Sequence, residues 1–261
     1  MNNIIMYAIL AIAAIGAIVG WSNFKKGVAW GQPLTIVCAI IAICIGGYLS
    51  WSNSFGGGQN KSAQARETEY QKVMTRQLGI HLKDKFPGKK AIIIKDPYSK
   101  DDSPLMVGLK EGLGDAITIV DTVSPEPPKP KGDPEMEMMD PMETWYTKKA
   151  LEALLKGKEA DLIITTIGLP IGVLCSGKEF NAPCLKGKKV VFAGGSIYEH
   201  GRAFKEGCIV AAVTYKPNAE YDEKPVPKDQ QAAFDKRFLL VTNENYQSVM
   251  KDHPDIFETK K

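Results

Sequence analysis

Residues able to do chemistry gather in three stretches of the chain. The first is residues 193–200, Ala-Gly-Gly-Ser-Ile-Tyr-Glu-His. A glycine pair after an apolar run lets backbone N–H groups approach an anion, and a helix opening behind it favours negative charge there. Gly194, Gly195 and Ser196 therefore form a candidate anion loop, with Asp96 at the end of another apolar run on the same rim. A plainer reading stands beside it. Ser196-x-x-Glu199 has the spacing of a capping box, which occupies both polar side chains without a ligand. The glycines match neither the Walker loop nor the dinucleotide fingerprint. Ser196 and His200 stand four apart, as a nucleophile and base would at a helix start, but no third group orients the histidine. No catalytic residue is assigned.

The second stretch concerns sulfur. Of five cysteines, Cys38 and Cys44 lie in an apolar run. Cys175 and Cys184 flank a loop containing Gly177 and Pro183, and in an oxidising compartment they are the candidate disulfide. Their C-x8-C spacing is not a zinc pattern. Cys208 opens an apolar strand and reads as core. His81 and His253 lack a clustered partner, so no metal and no cofactor is assigned.

The third stretch is residues 124–142, where Pro125, Pro127, Pro128, Pro130, Pro134 and Pro141 exclude sheet pairing. Met136, Met138, Met139 and Met142 alternate with acidic residues. The segment reads as an exposed, partly extended insertion. Its methionines fold back over the domain, bind a partner protein, or capture Cu(I) through their thioethers.

The elements that hold these residues begin with two uncharged runs. Residues 4–21 and 33–51 each have the length of a membrane-spanning helix. Trp21, Trp30, Tyr48 and Trp51 stand at their ends, and Gly16-x-x-x-Gly20 and Ala42-x-x-x-Gly46 offer small faces. The first run lacks the basic start of a cleaved signal. The expectation is a transmembrane hairpin anchor over 1–55 that contacts the lipid bilayer. Lys25 and Lys26 between the runs place the connection in the cytoplasm and the soluble domain outside the inner membrane. Residues 56–88 read as a flexible glycine joint and an amphipathic stalk helix over 61–85, whose apolar stripe packs on the domain; a coiled-coil stalk would need three or four heptads that the segment lacks.

From residue 89 to 261 strands and helices alternate. Strands are predicted at 91–94, 116–120, 162–167, 190–193, 209–214 and 238–242. Helices are predicted from Ser103-Pro104 to Gly114, from Asp140 to about Lys158, and near 198–205, 229–236 and 245–251. Buried apolar strands alternating with helices imply an α/β fold: an open, doubly wound, mostly parallel sheet of flavodoxin or Rossmann type with helices on both faces. The formal net charge of +3, with both signs interspersed, gives no footprint for nucleic acid.

The run Ala-Ile-Ile-Ile-Lys-Asp at 91–96, Leu-Met-Val-Gly-Leu-Lys-Glu-Gly-Leu-Gly-Asp at 105–115 and Ile-Thr-Ile-Val at 117–120 resembles the opening of a type 1 periplasmic binding protein lobe. Residues 153–166 are similar to that family's next helix and strand. The resemblance covers about half the domain and implies a fold and a location. The chain has no second lobe, so the family's ligand site does not transfer. The function expected is a membrane-anchored envelope protein whose α/β domain is an interaction, assembly or ligand-sensing module, with a protein partner or self-association. The alternatives are a membrane-tethered enzyme on a phosphorylated or nucleotide-like substrate and a cytosolic nucleotide-sensing domain.

Overall fold

The computed structural model describes residues 3–54, 58–128, 141–219 and 221–257. Met136, Met138 and Met139 of the predicted partner loop lie outside them, as does most of the 124–142 insertion. The chain divides into two compact units, Met1–Gln64 and Ala65–Lys261.

In the first unit, α1 (Asn3–Lys25) and α2 (Gly31–Ser54) form a helical hairpin. Gly27, with φ of 77°, makes the reversal, and its N–H donates to Phe24 O over 2.9 Å. The seam is set by small residues. A Cβ on Gly16 would meet Cys38 Sγ at 2.7 Å and one on Gly20 would meet Thr35 Oγ1 at 2.6 Å, whereas one on Gly46 would meet no atom of another element within 4 Å among the described residues. Of the two small-residue pairs, the first is the one used for contact. Among the described residues no helix is long and apolar enough to cross a membrane. That finding overturns the transmembrane hairpin over 4–21 and 33–51 and the inner-membrane envelope location with an outward-facing domain.

The second unit carries the sheet. Its strands are β1 (Lys90–Ile94), β2 (Thr118–Val123), β3 (Leu162–Thr165), β6 (Lys189–Phe192), β7 (Ile209–Tyr215) and β8 (Phe238–Thr242); β4 (Cys175–Ser176) and β5 (Glu179–Phe180) make a separate small hairpin. The order across the main sheet is β2-β1-β3-β6-β7-β8. All neighbours are parallel until β8, which pairs antiparallel with β7. The sheet is therefore mixed, and its parallel part has the flavodoxin-type order with a switch point between β1 and β3.

Side chains alternate across the pleat, so each strand feeds two cores. Ile92, Ile94, Ile163, Val190 and Phe192 point to one face. There they pack under α6 (Lys148–Leu155), α7 (Gly201–Lys205) and α9 (Tyr246–Asp252). Ala91, Ile93, Ile164 and Val191 point to the other, covered by α3 (Gly58–Lys85), α4 (Pro104–Leu113) and α8 (Gln230–Arg237). Fully burying one such side chain contributes ~1.5–3 kcal/mol. Tyr70, Val73, Met74, Leu78 and Leu82 of α3 are all buried in this second core. The helix read as a stalk is thus, from residue 65 on, one layer of the α/β unit.

The helix predicted to run from Asp140 to Lys158 is two helices, α5 (Met142–Trp145) and α6. The break falls where Tyr146 leaves helical geometry with ψ of 79°. Thr147 then opens α6, its hydroxyl accepting from Ala150 N at 3.3 Å. A threonine cap restarts the helix because it satisfies an otherwise orphaned N–H.

One cation is built into the second core. Arg237 is 3% exposed, its Nη1 donates to Glu67 Oε2 at 2.7 Å, and its guanidinium lies 3.6 Å from the Tyr70 ring centre and 4.7 Å from that of Tyr221. Arg237→Ala is expected to cost about 2 kcal/mol, from lost stacking and from leaving Glu67 unpaired. Arg237→Lys should recover little of it, because an ammonium does not stack as the planar fork does. Urea midpoints of the two variants check this.

Candidate functional site

In an open α/β sheet ligands sit beyond the carboxyl ends of the strands, at the switch point. Here that rim is made by the chain leaving β1, β3 and β6. After β1, Asp96 N donates to Thr166 Oγ1 over 3.3 Å, and Asp96 Oδ1 accepts from Tyr98 N over 2.8 Å. The Asp96 carboxylate is thereby folded back on its own turn. Lys95 Nζ is held by Asp101 Oδ1 at 2.5 Å and Ser99 O at 3.0 Å. That contact lowers the Asp101 carboxyl below the usual range, chiefly through the hydrogen bond.

After β3, the buried Thr165 hydroxyl donates to Gly168 O at 2.8 Å and accepts from Ile167 N at 3.2 Å. After β6 comes the glycine pair. A Cβ on Gly194 would lie 3.0 Å from Thr166 O, and one on Gly195, whose φ is 83°, would lie 3.3 Å from Gly168 N. The two glycines are therefore required by the close approach of one loop to the next, with no ligand invoked. Gly194, Gly195 and Asp96 do share one rim, but Thr166 and Gly168 stand between them.

The helix expected behind the glycines begins later than predicted. α7 starts at Gly201 with no side-chain cap, so Ser196-x-x-Glu199 is not a capping box. Ser196 Oγ accepts from Tyr198 N at 3.1 Å. Glu199 takes φ of 63° and its N–H donates to Phe257 O at 3.0 Å. The C-terminal segment holds this turn in place of a helix. A five-residue α7 beginning beyond it aims no sustained dipole at Ser196.

His200 packs edge-on against Phe192, ring centres 5.1 Å apart. Burial lowers its pKa, with Glu199 opposing, and burial first and Lys85 next lower that of His81. No hydrogen bond joins Ser196 to His200 among the described residues, so the nucleophile–base pair is not assembled. Both histidines titrate lower folded than unfolded, so between the folded pKa and about 6.5 the unfolded chain holds more protons. Stability is expected to fall as pH drops through that window and to level off below it. His200→Leu should flatten part of the slope in unfolding midpoints measured from pH 7 to pH 5.

The sulfur chemistry differs from expectation. Cys175 is bonded to Cys208, Cα atoms 6.4 Å apart, and Cys184 is a free, half-buried thiol. The predicted Cys175–Cys184 pair is corrected. Cys184 sits in the single turn Pro183–Leu185 facing α6, where Lys188 Nζ donates to its carbonyl at 2.9 Å. Cys208 lies immediately before β7, under the β4–β5 hairpin that carries Cys175. Burial, then the Glu152 carboxylate, pushes the Cys184 thiol up.

Two grooves lie away from the carboxyl rim. One, about 640 Å³, is lined by Lys149, Glu152, Lys156, Lys158, Cys184 and Lys188, on the side where β3 and β6 begin. Lys158 there pairs with Asp121. The other, about 340 Å³, is formed by α3, α8 and β8 around His81, Phe234 and Leu240. Sequence reasoning missed the lysine groove because its cations come from α6 and from two strand starts that are distant in the chain. No family model matches the chain, and no curated protein shows significant similarity to it.

Proposed function

We propose that the chain is an association module, in which the α1–α2 hairpin joins copies of the chain and the α/β unit supplies the folded body that is brought together. The observation that carries this reading is the outer surface of the hairpin. Ile12, Ile15 and Ile18 of α1 are 62–70% exposed and Ile36, Val37, Ile40 and Ile43 of α2 are 50–73% exposed. Isolated apolar side chains on a surface need no account, but a continuous apolar face on two adjacent helices does, and such faces mark association sites. The inner seam is already filled by Ala13, Cys38 and the glycines, so the isoleucines are surplus to the hairpin itself.

The test is sedimentation of the full chain in a mild non-ionic detergent, with the detergent's mass subtracted. The parent should form a discrete oligomer. Ile18→Asp combined with Ile40→Asp should shift it to the monomer while leaving the unfolding midpoint of the α/β unit unchanged. A parent that stays monomeric at every concentration overturns the reading.

A further inference from the structure

The disulfide has a third neighbour. Cys175 Sγ, Cys208 Sγ and a Glu206 carboxylate oxygen all lie within 4.8 Å of one another. Cys175 is 6% and Cys208 1% exposed. Cys175 Sγ stands 3.4 Å from Glu206 Oε2. The three come from the β4 strand, the residue before β7 and the end of α7.

The carboxylate is fixed in that position from outside. Arg202 Nε donates to Glu206 Oε1 at 2.7 Å, one helical turn back. Lys178 N donates to Oε2 at 3.1 Å. Arg202 Nη2 also donates to Ser176 Oγ at 3.2 Å. Gly177 and Lys178 have φ of 64° and 69°, the pair of left-handed residues that a two-residue type I′ hairpin requires. The hairpin thus presents its backbone N–H to Glu206 and its Cys175 sulfur to Cys208. The guanidinium, then the hairpin N–H groups, hold the Glu206 carboxyl below its ordinary value. Oε1 is engaged by Arg202, while Oε2 faces the sulfurs.

We propose that Cys175, Cys208 and Glu206 form a redox-gated site for one thiophilic divalent cation of the zinc class. In the oxidised chain the S–S bond occupies both sulfurs and the site is closed. A dithiol reductant opens it, giving up two electrons and two protons as it forms its own disulfide, and leaves two thiols on the chain. The cation then displaces both thiol protons to solvent. The two thiolates and Glu206 Oε2 take three positions of a tetrahedron, and water takes the fourth. Two soft donors with one carboxylate suit zinc-class ions. The three ligand charges exceed the cation's by one, and the Arg202 guanidinium balances the excess. Arg202 and the hairpin N–H groups orient the carboxylate as outer partners orient ligands in metal sites.

The experiment uses the full chain with Cys38, Cys44 and Cys184 changed to serine, so that the two site cysteines are its remaining thiols. After reduction and anaerobic removal of the reductant, it is titrated with Co²⁺ as a spectroscopic probe. The expected result is a near-ultraviolet thiolate-to-cobalt band that saturates at one equivalent and is abolished by Zn²⁺. The oxidised chain should show none, nor should Cys208→Ala. Arg202→Ala should weaken binding roughly 10- to 100-fold, and Glu206→Gln by at least as much while still forming the disulfide. Zn²⁺ should raise the unfolding midpoint of the reduced chain and leave the oxidised chain unchanged. A reduced chain with no such band overturns the proposal and leaves a structural disulfide only. Binding unaffected by Glu206→Gln also overturns it as a three-ligand site.

Discussion

Gly112→Val is expected to cost about 3 kcal/mol of folding free energy and to leave the α/β unit largely unfolded in mild urea where the parent is intact. The reason is the crossing of α3 and α4. A Cβ on Gly112 would stand 2.2 Å from Arg76 O, one on Gly108 2.3 Å from Lys72 O, and one on Gly79 2.8 Å from Gly112 Cα. The clashing atoms are backbone, which no rotamer change can move. Relief requires separating the helices, and that strips contacts from Leu78, Leu82, Leu109 and Leu113, all 0% exposed in one core. It also pulls Thr75 Oγ1 from Leu105 O, now 2.8 Å away. Gly112→Ala should lose most of the same energy, since the first carbon already collides. Gly114→Ala is the contrast. Its φ of 53° and ψ of −145° lie in a region open essentially to glycine, with nothing within 4 Å, so conformational strain on the order of 1–3 kcal/mol applies without a backbone collision. Urea midpoints of the three variants, followed by circular dichroism, order them. A Gly112→Ala loss no larger than that of Gly114→Ala would sink the explanation.

What the sequence disclosed and what it hid follow from the range of the forces involved. Residues 91–94, 162–165 and 190–192 were legible as strands because buried parallel strands are continuous apolar runs, and continuity is local information. The Ser103-Pro104 start of α4 was equally local, although the Ser103 hydroxyl makes no capping bond. Gly108 and Gly112, inside the same helix, carry no such local signal. Their purpose depends on Lys72 and Arg76, more than thirty residues back. The 193–200 turn misled for the opposite reason. Its Ser-x-x-Glu spacing is a sound local signal for a helix start, and the hydrogen bond from Glu199 N to Phe257 O near the chain's end overrides it. Asp96 and Gly194 do follow strands, but the contacts made between them by Thr166 and Gly168 needed the register of β3. Arg237 gave no signal at all. A charged residue at a helix end reads as solvated, and its burial follows from two tyrosines supplied by other parts of the chain.

Reducing the Cys175–Cys208 bond in metal-free buffer is expected to destabilise the chain by about 3–4 kcal/mol, the largest single loss predicted for it. The bond closes a loop with a sequence separation of 33, and the chain-entropy model assigns a cross-link of that span a stabilisation of this size, because the unfolded ensemble loses its open conformations. Cys175→Ala with Cys208→Ala should reproduce the loss and make the unfolding midpoint indifferent to reductant. Serine is the poorer probe, since a hydroxyl at the 1% exposed Cys208 position would add the cost of burying a polar group. Cys184→Ala decides the pairing. With Cys184 in its own turn against α6, that variant should keep the full response to reductant. A pairing of Cys175 with Cys184 would instead abolish the response in this variant and preserve it in Cys208→Ala. The two pairings also differ in what they restrain. A bond across the nine positions from 175 to 184 would fix only a surface loop, whereas the bond to Cys208 ties the β4–β5 hairpin to the residue before β7, a strand paired on both sides in the main sheet. Loss of the latter should therefore speed hydrogen exchange at Val190 N, which donates to Cys208 O over 2.9 Å, as well as in the hairpin itself.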